Sequence, residues 1–196
     1  MPELPEFLPK EIPVLFLASR SPQRRAILEQ LGVRFEVRPA DVVEDETGEP
    51  AELVSANALR KARAVAGRSE GHPVLGVDTA VFLERRFYGK PHDEREARAH
   101  LERLSGCTHE VWSAIALIDG GSERVETACT IVRLRQLDDG IIDWYLATGE
   151  WRDRAGAYAI QGRGAALVDG IEGDYWNVVG LPVSLLVDLA PDLIHA

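Results

Sequence analysis

A chain of 196 residues that is 45% hydrophobic and 28% charged is long enough to bury one sizeable core and requires no second domain. Its formal net charge of −10 argues against a protein that tracks a nucleic-acid polymer or an anionic membrane, because either needs a net attractive field. Cys107 and Cys129, the two cysteines, lack CxxC spacing, indicate neither a disulfide framework nor a zinc site, and fit a reducing cytoplasm.

Residues 1–13, "MPELPEFLPKEIP", carry four prolines and read as an extended or disordered arm without the basic and apolar regions of a signal peptide. From Val14 the elements alternate. A strand over 14–18 leads to a helix over 22–31, a strand over 35–38 and a long helix over 52–66. A strand follows over 74–83 with a short return at 87–89, then a helix over 94–104. Two long strands, 110–118 and 124–134, flank the hairpin signal "DGGS". A helix over 138–147, the glycine-rich run "AGAYAIQGRGAALV" and a helix after "VVGLPVSLL" complete the chain. No stretch approaches 18 apolar residues, so no membrane span is expected. Strands joined by helices and by a hairpin predict an α/β domain over 14–196 with a mixed, twisted sheet.

Ser21 followed by Pro22 is the signature of a helix start, which places Gln23, Arg24 and Arg25 in the first turn. Cations there oppose the helix dipole by about 0.3–1 kcal/mol each, and a bound anion removes the conflict. Arg24 is therefore a candidate phosphate ligand; the alternative is a pair of solvated arginines, with Arg25 reaching Glu29 one turn on.

"PVLGVDTAVFL" puts Asp78 in an otherwise apolar run, where an ionised carboxylate needs a cation, a metal or a helix N-terminus. Glu44 lies in "DVVEDE", a solvated charge run unless the fold brings it beside Asp78. Together the two carboxylates would suit magnesium or manganese and phosphate chemistry. Lys61 follows Asn57 by four residues on one helix face, and Lys90 in "YGKP" lies just after the Asp78 strand. Two lysines and an arginine are what a triphosphate requires of so acidic a protein. "AIQGRG" offers Gln161, whose amide both donates to and accepts from a base edge, although that stretch alone favours an ordinary loop. The histidines show no ligand spacing.

Taken in order, "ASRSPQRRAIL", "NALRKARA", "GVDT", "GKP", "RLSGCTHEVWSAIAL", "RAGAYAIQGRG" and "GDYWNVVGLP" resemble the Maf family of nucleoside triphosphate pyrophosphatases, over essentially everything after residue 13. The resemblance implies an α/β fold of the inosine triphosphate pyrophosphatase type, with a cleft between two lobes. It also implies a divalent cation, a cytoplasmic location and a homodimer. The implied reaction is hydrolysis of a nucleoside triphosphate between its α and β phosphates. By motif, Asp78 corresponds to the proton acceptor and Glu44 to its partner in metal binding. Ser19, Ser21, Arg24, Lys61 and Lys90 correspond to phosphate-facing positions. An aspartate of ordinary pKa is a weak base at neutral pH, which favours Asp78 as metal ligand and orienter of the attacking water.

Three positions separate the branches of the family. Thr79 and Gln161 resemble the branch acting on dTTP and UTP, whereas Gln23 departs from the arginine usual there. Arg154 stands where the family often has lysine and keeps the charge. A second reading, a nucleotide-binding regulator of cell division, predicts binding without turnover. A third comes from "MPELPE", which resembles the start of formamidopyrimidine-type DNA glycosylases; that likeness ends after Glu6, in a chain too acidic for duplex DNA.

Overall fold

The computed structural model describes residues 14–193, so the arm over 1–13 and His195 lie outside the described residues. Strands β1 (Leu15–Leu17), β2 (Phe35–Val37), β3 (Val74–Leu83), β4 (Arg86–Tyr88), β5 (Thr108–Asp119), β6 (Ser122–Leu134) and β7 (Val168–Glu172) form one sheet. Its order is β2-β1-β3-β5-β6-β7, with β4 attached to β3. β1 pairs in parallel with both β2 and β3, whereas the β3–β5, β5–β6 and β6–β7 pairs are antiparallel. The mixed sheet expected from helix and hairpin connections is the one observed.

The helices are α1 (Pro22–Gln30), α2 (Pro50–Ala66), α3 (Glu94–Leu104), α4 (Asp139–Ala147), α5 (Tyr175–Val179) and α6 (Val183–Leu189). Side-chain caps start several of them: Ser21, Asp93 and Asp138 each accept a backbone N–H from the first turn. Helix α2 begins at Pro50, two residues before the expected start, because extended Glu49 hands the chain to a proline whose fixed φ suits the first turn. In "DGGS", Gly120 and Gly121 both take positive φ, which turns β5 into β6 through two residues, with Asp119 opposite Ser122. Two elements inside the glycine-rich C-terminal third, β7 and α5, were not expected. Among the described residues, no helix is long and apolar enough to cross a membrane.

Side-chain alternation along β3 divides the core. Leu75 and Val77 pack with Leu15, Leu17, Ile115 and Leu117 against α1 and α6. The opposite face, with Val74, Ala80, Phe82, Ala114 and Ala116, carries α2 through Leu53, Val54, Ala58, Ala62 and Val65. A third apolar cluster gathers α3, α4 and residues 151–160 around the far end of the sheet. Gly76 brings α2 close to the sheet: a Cβ there would overlap the Ala58 carbonyl and come within 2.7 Å of the Ala62 nitrogen. Asp78 follows two residues later on the same face, which aims its carboxylate at the helix carrying Lys61.

Candidate active site

Asp78 is 6% exposed and Lys61 7% exposed, and the Lys61 Nζ donates to Asp78 Oδ1 at 2.7 Å. The same ammonium lies 2.8 Å from Glu44 Oε2, so one lysine joins the two carboxylates. Burial pushes the Asp78 carboxyl above its ordinary pKa; Lys61 pulls it down, Glu44 pushes it further up and Arg24 opposes it. Burial also raises Glu44, but the nearby Lys61, with help from Asp78 and Lys90, outweighs it and leaves Glu44 below the usual carboxylate range. The two acids are thus driven apart, with Glu44 the readier to ionise.

Asn57 connects this cluster to the loop that holds Glu44. Its Nδ2 donates to Asp78 Oδ2 at 3.2 Å and to the Asp45 carbonyl at 2.9 Å, while its Oδ1 accepts from the Asp45 N–H at 2.9 Å. Arg60, one turn on, donates through Nη1 to Asn57 Oδ1 and the Val43 carbonyl, and through Nη2 to Asp45 Oδ2. The sequence marks Asn57 only as a neighbour of Lys61 on its helix face and does not single out Arg60. The signal available was the spacing of Asn57, Arg60 and Lys61 at i, i+3 and i+4 of one helix.

At the start of α1 the Ser21 Oγ accepts from the Arg24 N–H and donates to Gln23 Oε1 at 3.0 Å. The Ser19 Oγ accepts from the Ser21 N–H and from Arg24 Nη1. Arg24 does not stand free at the helix start: Nε donates to the Gly180 carbonyl at 2.9 Å and Nη2 to Thr79 Oγ1 at 3.1 Å. Its fork joins α1, β3 and the residue after α5, and Thr79 is further linked to Ser113 Oγ at 2.9 Å. Burial lowers the Arg24 pKa, against the attraction of Asp78 and Glu44. Arg25 pairs with Glu29 at 3.3 Å, both well exposed, which accounts for the second arginine of the turn.

These groups line a cavity of about 440 Å³ that gathers Ser19, Ser21, Gln23, Arg24, Glu44, Lys61, Thr79 and Lys90. The second half of the chain contributes Arg154, Tyr158 and Gly180 to its lining. The Gly156 N–H donates to the Gly89 carbonyl and ties the turn bearing Lys90 to that bearing Arg154. Tyr158 is braced from behind by its hydroxyl, 2.8 Å from His109 Nε2. Gln161 is exposed and is not part of the lining, so the structure does not bring this candidate to the others.

Among the described residues no three His, Cys, Asp or Glu side chains converge as a ready cation cage. Glu44 and Asp78 nevertheless supply two hard oxygen donors held toward one ammonium. Mg²⁺ is usually held by one or two carboxylates together with substrate phosphates and water, so the donor set fits such an ion.

A family model described as "Maf-like protein" matches residues 14–193. A protein of Symbiobacterium thermophilum named dTTP/UTP pyrophosphatase is 49% identical over 177 residues, covering 89% of this chain and 91% of that one. A Pyrococcus furiosus protein of the same name is 43% identical, covering 89% of this chain and 93% of its own. The solved structure of a HAM1 protein from Coxiella burnetii aligns with a TM-score of 0.44 and 19% identity over 61% of this chain and 72% of that one. With the match running through both walls of the cleft and every element between them, the chain belongs to the Maf family.

Proposed function

We propose that this chain is a nucleoside triphosphate pyrophosphatase that cleaves between the α and β phosphates, with dTTP and UTP as leading substrates. The observation that carries the reading is the Lys61 ammonium joining Asp78 and Glu44 in a cleft also lined by Arg24, Lys90 and Arg154. Phosphoryl transfer asks a protein for positioning and charge neutralisation more than for covalent chemistry, and this cleft is equipped for both. Relatives of 43–49% identity bear the name dTTP/UTP pyrophosphatase, which supports the same activity here and favours turnover over a binding-only regulator.

Glu44 and Asp78 would hold a divalent cation, magnesium or manganese. When bound, such an ion neutralises phosphate charge and acidifies water. Asp78, fixed by Lys61 and Asn57, orients the attacking water and receives its proton. Lys61 lies beside the reacting phosphate, Lys90 and Arg154 hold the leaving pyrophosphate, and the α1 start with Ser19 and Ser21 holds the remaining phosphate oxygens. Arg24 braces Thr79, and Thr79 with Gln23 faces the base; Gln161 reaches the base only if its loop moves inward. The catalytic unit is residues 14–196, acting as a cytoplasmic homodimer.

The test is pyrophosphate release by the purified full chain from a panel of UTP, dTTP, CTP and 7-methyl-GTP with magnesium or manganese. Turnover highest on UTP and dTTP is expected. Release from none of the four overturns the reading, and the ratio among them tests the departure at Gln23.

A further inference from the structure

The segment between β2 and α2, residues 38–49, has no regular secondary structure and is largely exposed, yet it must present Glu44 to a buried lysine. A loop of that kind is entropically costly to hold in one conformation, and the contacts that hold it are concentrated on either side of Glu44. Before it, the Val43 carbonyl accepts from Arg60 Nη1 at 3.0 Å. After it, Asp45 exchanges two backbone hydrogen bonds of 2.9 Å with the Asn57 carboxamide, which takes the place of a neighbouring strand. The Asp45 side chain is in turn clasped by Arg60 Nη2 at 2.6 Å.

The Asn57 carboxamide is 2% exposed and completely committed. Both of its N–H groups donate, one to the Asp45 carbonyl and one to Asp78 Oδ2, and its oxygen accepts from the Asp45 N–H and from Arg60. A single side chain therefore touches the backbone next to one carboxylate and the oxygen of the other.

We propose that Asn57 and Arg60 are positioning residues that set the separation of Glu44 from Asp78 and thereby this chain's affinity for a divalent cation. The proposal rests on the reading of those two carboxylates as the cation's ligands. Neither residue reaches the reacting phosphate; each acts through Glu44 and Asp78. Supporting groups of this kind around a ligand set are worth about 10–100-fold in metal affinity. An aspartate at 57 keeps the shape but loses both donors, so it would face the Asp45 carbonyl and the Asp78 carboxylate with oxygen in place of N–H.

The experiment is a titration of the full-length protein with Mn²⁺ alone, following the electron paramagnetic resonance of the free ion. It compares the wild type with Arg60→Ala, Arg60→Lys, Asp45→Ala and Asn57→Asp, and takes Glu44→Gln as the reference loss. Arg60→Ala and Asp45→Ala should weaken Mn²⁺ binding by about tenfold, Arg60→Lys should recover most of it, and the KM for UTP at saturating Mn²⁺ should stay within about twofold in all three. Arg60 and Asp45 are partly exposed, so these variants keep the proposal open to refutation if Asn57→Asp does not fold. Mn²⁺ binding at wild-type strength in both alanine variants overturns it. A wild type that binds no Mn²⁺ overturns it together with the cation site. A wild type that binds Mn²⁺ but releases no pyrophosphate, with the variants weakened as stated, upholds the clamp while refuting the activity.

Discussion

Asp78 Oδ1 lies 2.7 Å from the Lys61 ammonium, and both side chains are more than nine-tenths buried. Breaking such a pair from one side ordinarily leaves an uncompensated buried charge, but in Asp78→Asn the Glu44 carboxylate, 2.8 Å from the same ammonium, remains as its partner. Burial holds the Asp78 pKa above that of an unfolded aspartate, against the pull of Lys61. The fold thus favours protonated Asp78, and that stabilisation is lost as pH rises through the folded value. Asp78→Asn should lower kcat for pyrophosphate release about a thousandfold with no fall in unfolding temperature at pH 8. Near-full turnover in this variant would remove Asp78 from the role assigned to it.

Removing the cation has the opposite signature. In Lys61→Met, Glu44 and Asp78 lose the charge between them, so the Glu44 pKa should rise. Turnover at pH 7 should drop by about two orders of magnitude, and part of it should return at higher pH. Carboxylate titration by NMR checks the first statement and a pH–rate profile the second; an unchanged Glu44 would contradict the geometry.

His109 offers a stability prediction away from the chemistry. It is 2% exposed, and burial lowers its pKa to about 4 from an ordinary value of 6.5. A depressed histidine contributes stability that is present above the unfolded pKa and lost as pH falls toward the folded one. The protein should lose on the order of 3 kcal/mol between pH 6.5 and 4 on this account. Urea unfolding across that range should show it, and His109→Phe should flatten the dependence; an equally steep loss in the variant assigns it elsewhere.

Gly76→Ala should be among the most damaging single-methyl additions in the chain. The new carbon meets backbone of α2, at the Ala58 carbonyl and the Ala62 nitrogen, which cannot step aside as a flexible side chain would. A cost of roughly 3 kcal/mol is expected from overpacking of this kind, equal to about 10 °C in melting temperature for a chain of this size. Because the displaced helix carries Asn57 and Lys61, turnover should fall even below the melting range. A melting temperature within about 2 °C of wild type would show that α2 accommodates the methyl.

The elements read well from sequence are those specified locally. Ser21-Pro22 marks a helix start within a few residues of itself, and the apolar run over 74–83 and the "DGG" turn carry their own geometry. Strand β7, "VDGIE", is not legible locally because its glycine and charges favour a loop; only pairing of Ile171 and Gly170 with Val132 and Arg133 makes it a strand. The same distinction runs through the cleft. Asp78 was legible because a carboxylate in an apolar run demands compensation. That Arg24 is bonded to Thr79 and Gly180 was not, since its partners lie 55 and 156 residues away. Gln161 stands out by side-chain chemistry within its motif, and the chain path leaves it exposed.

The hydrogen bond from the Gly156 N–H to the Gly89 carbonyl has a mechanical meaning. It joins two turns far apart in the chain, one ending at Lys90 and the other beginning at Arg154, so these cations ride on a single carriage. A displacement of either turn is thereby passed to the other. Across the cleft the two carboxylates are mounted separately, Asp78 on β3 and Glu44 on the loop before α2, and the Lys61 ammonium is the pin between them.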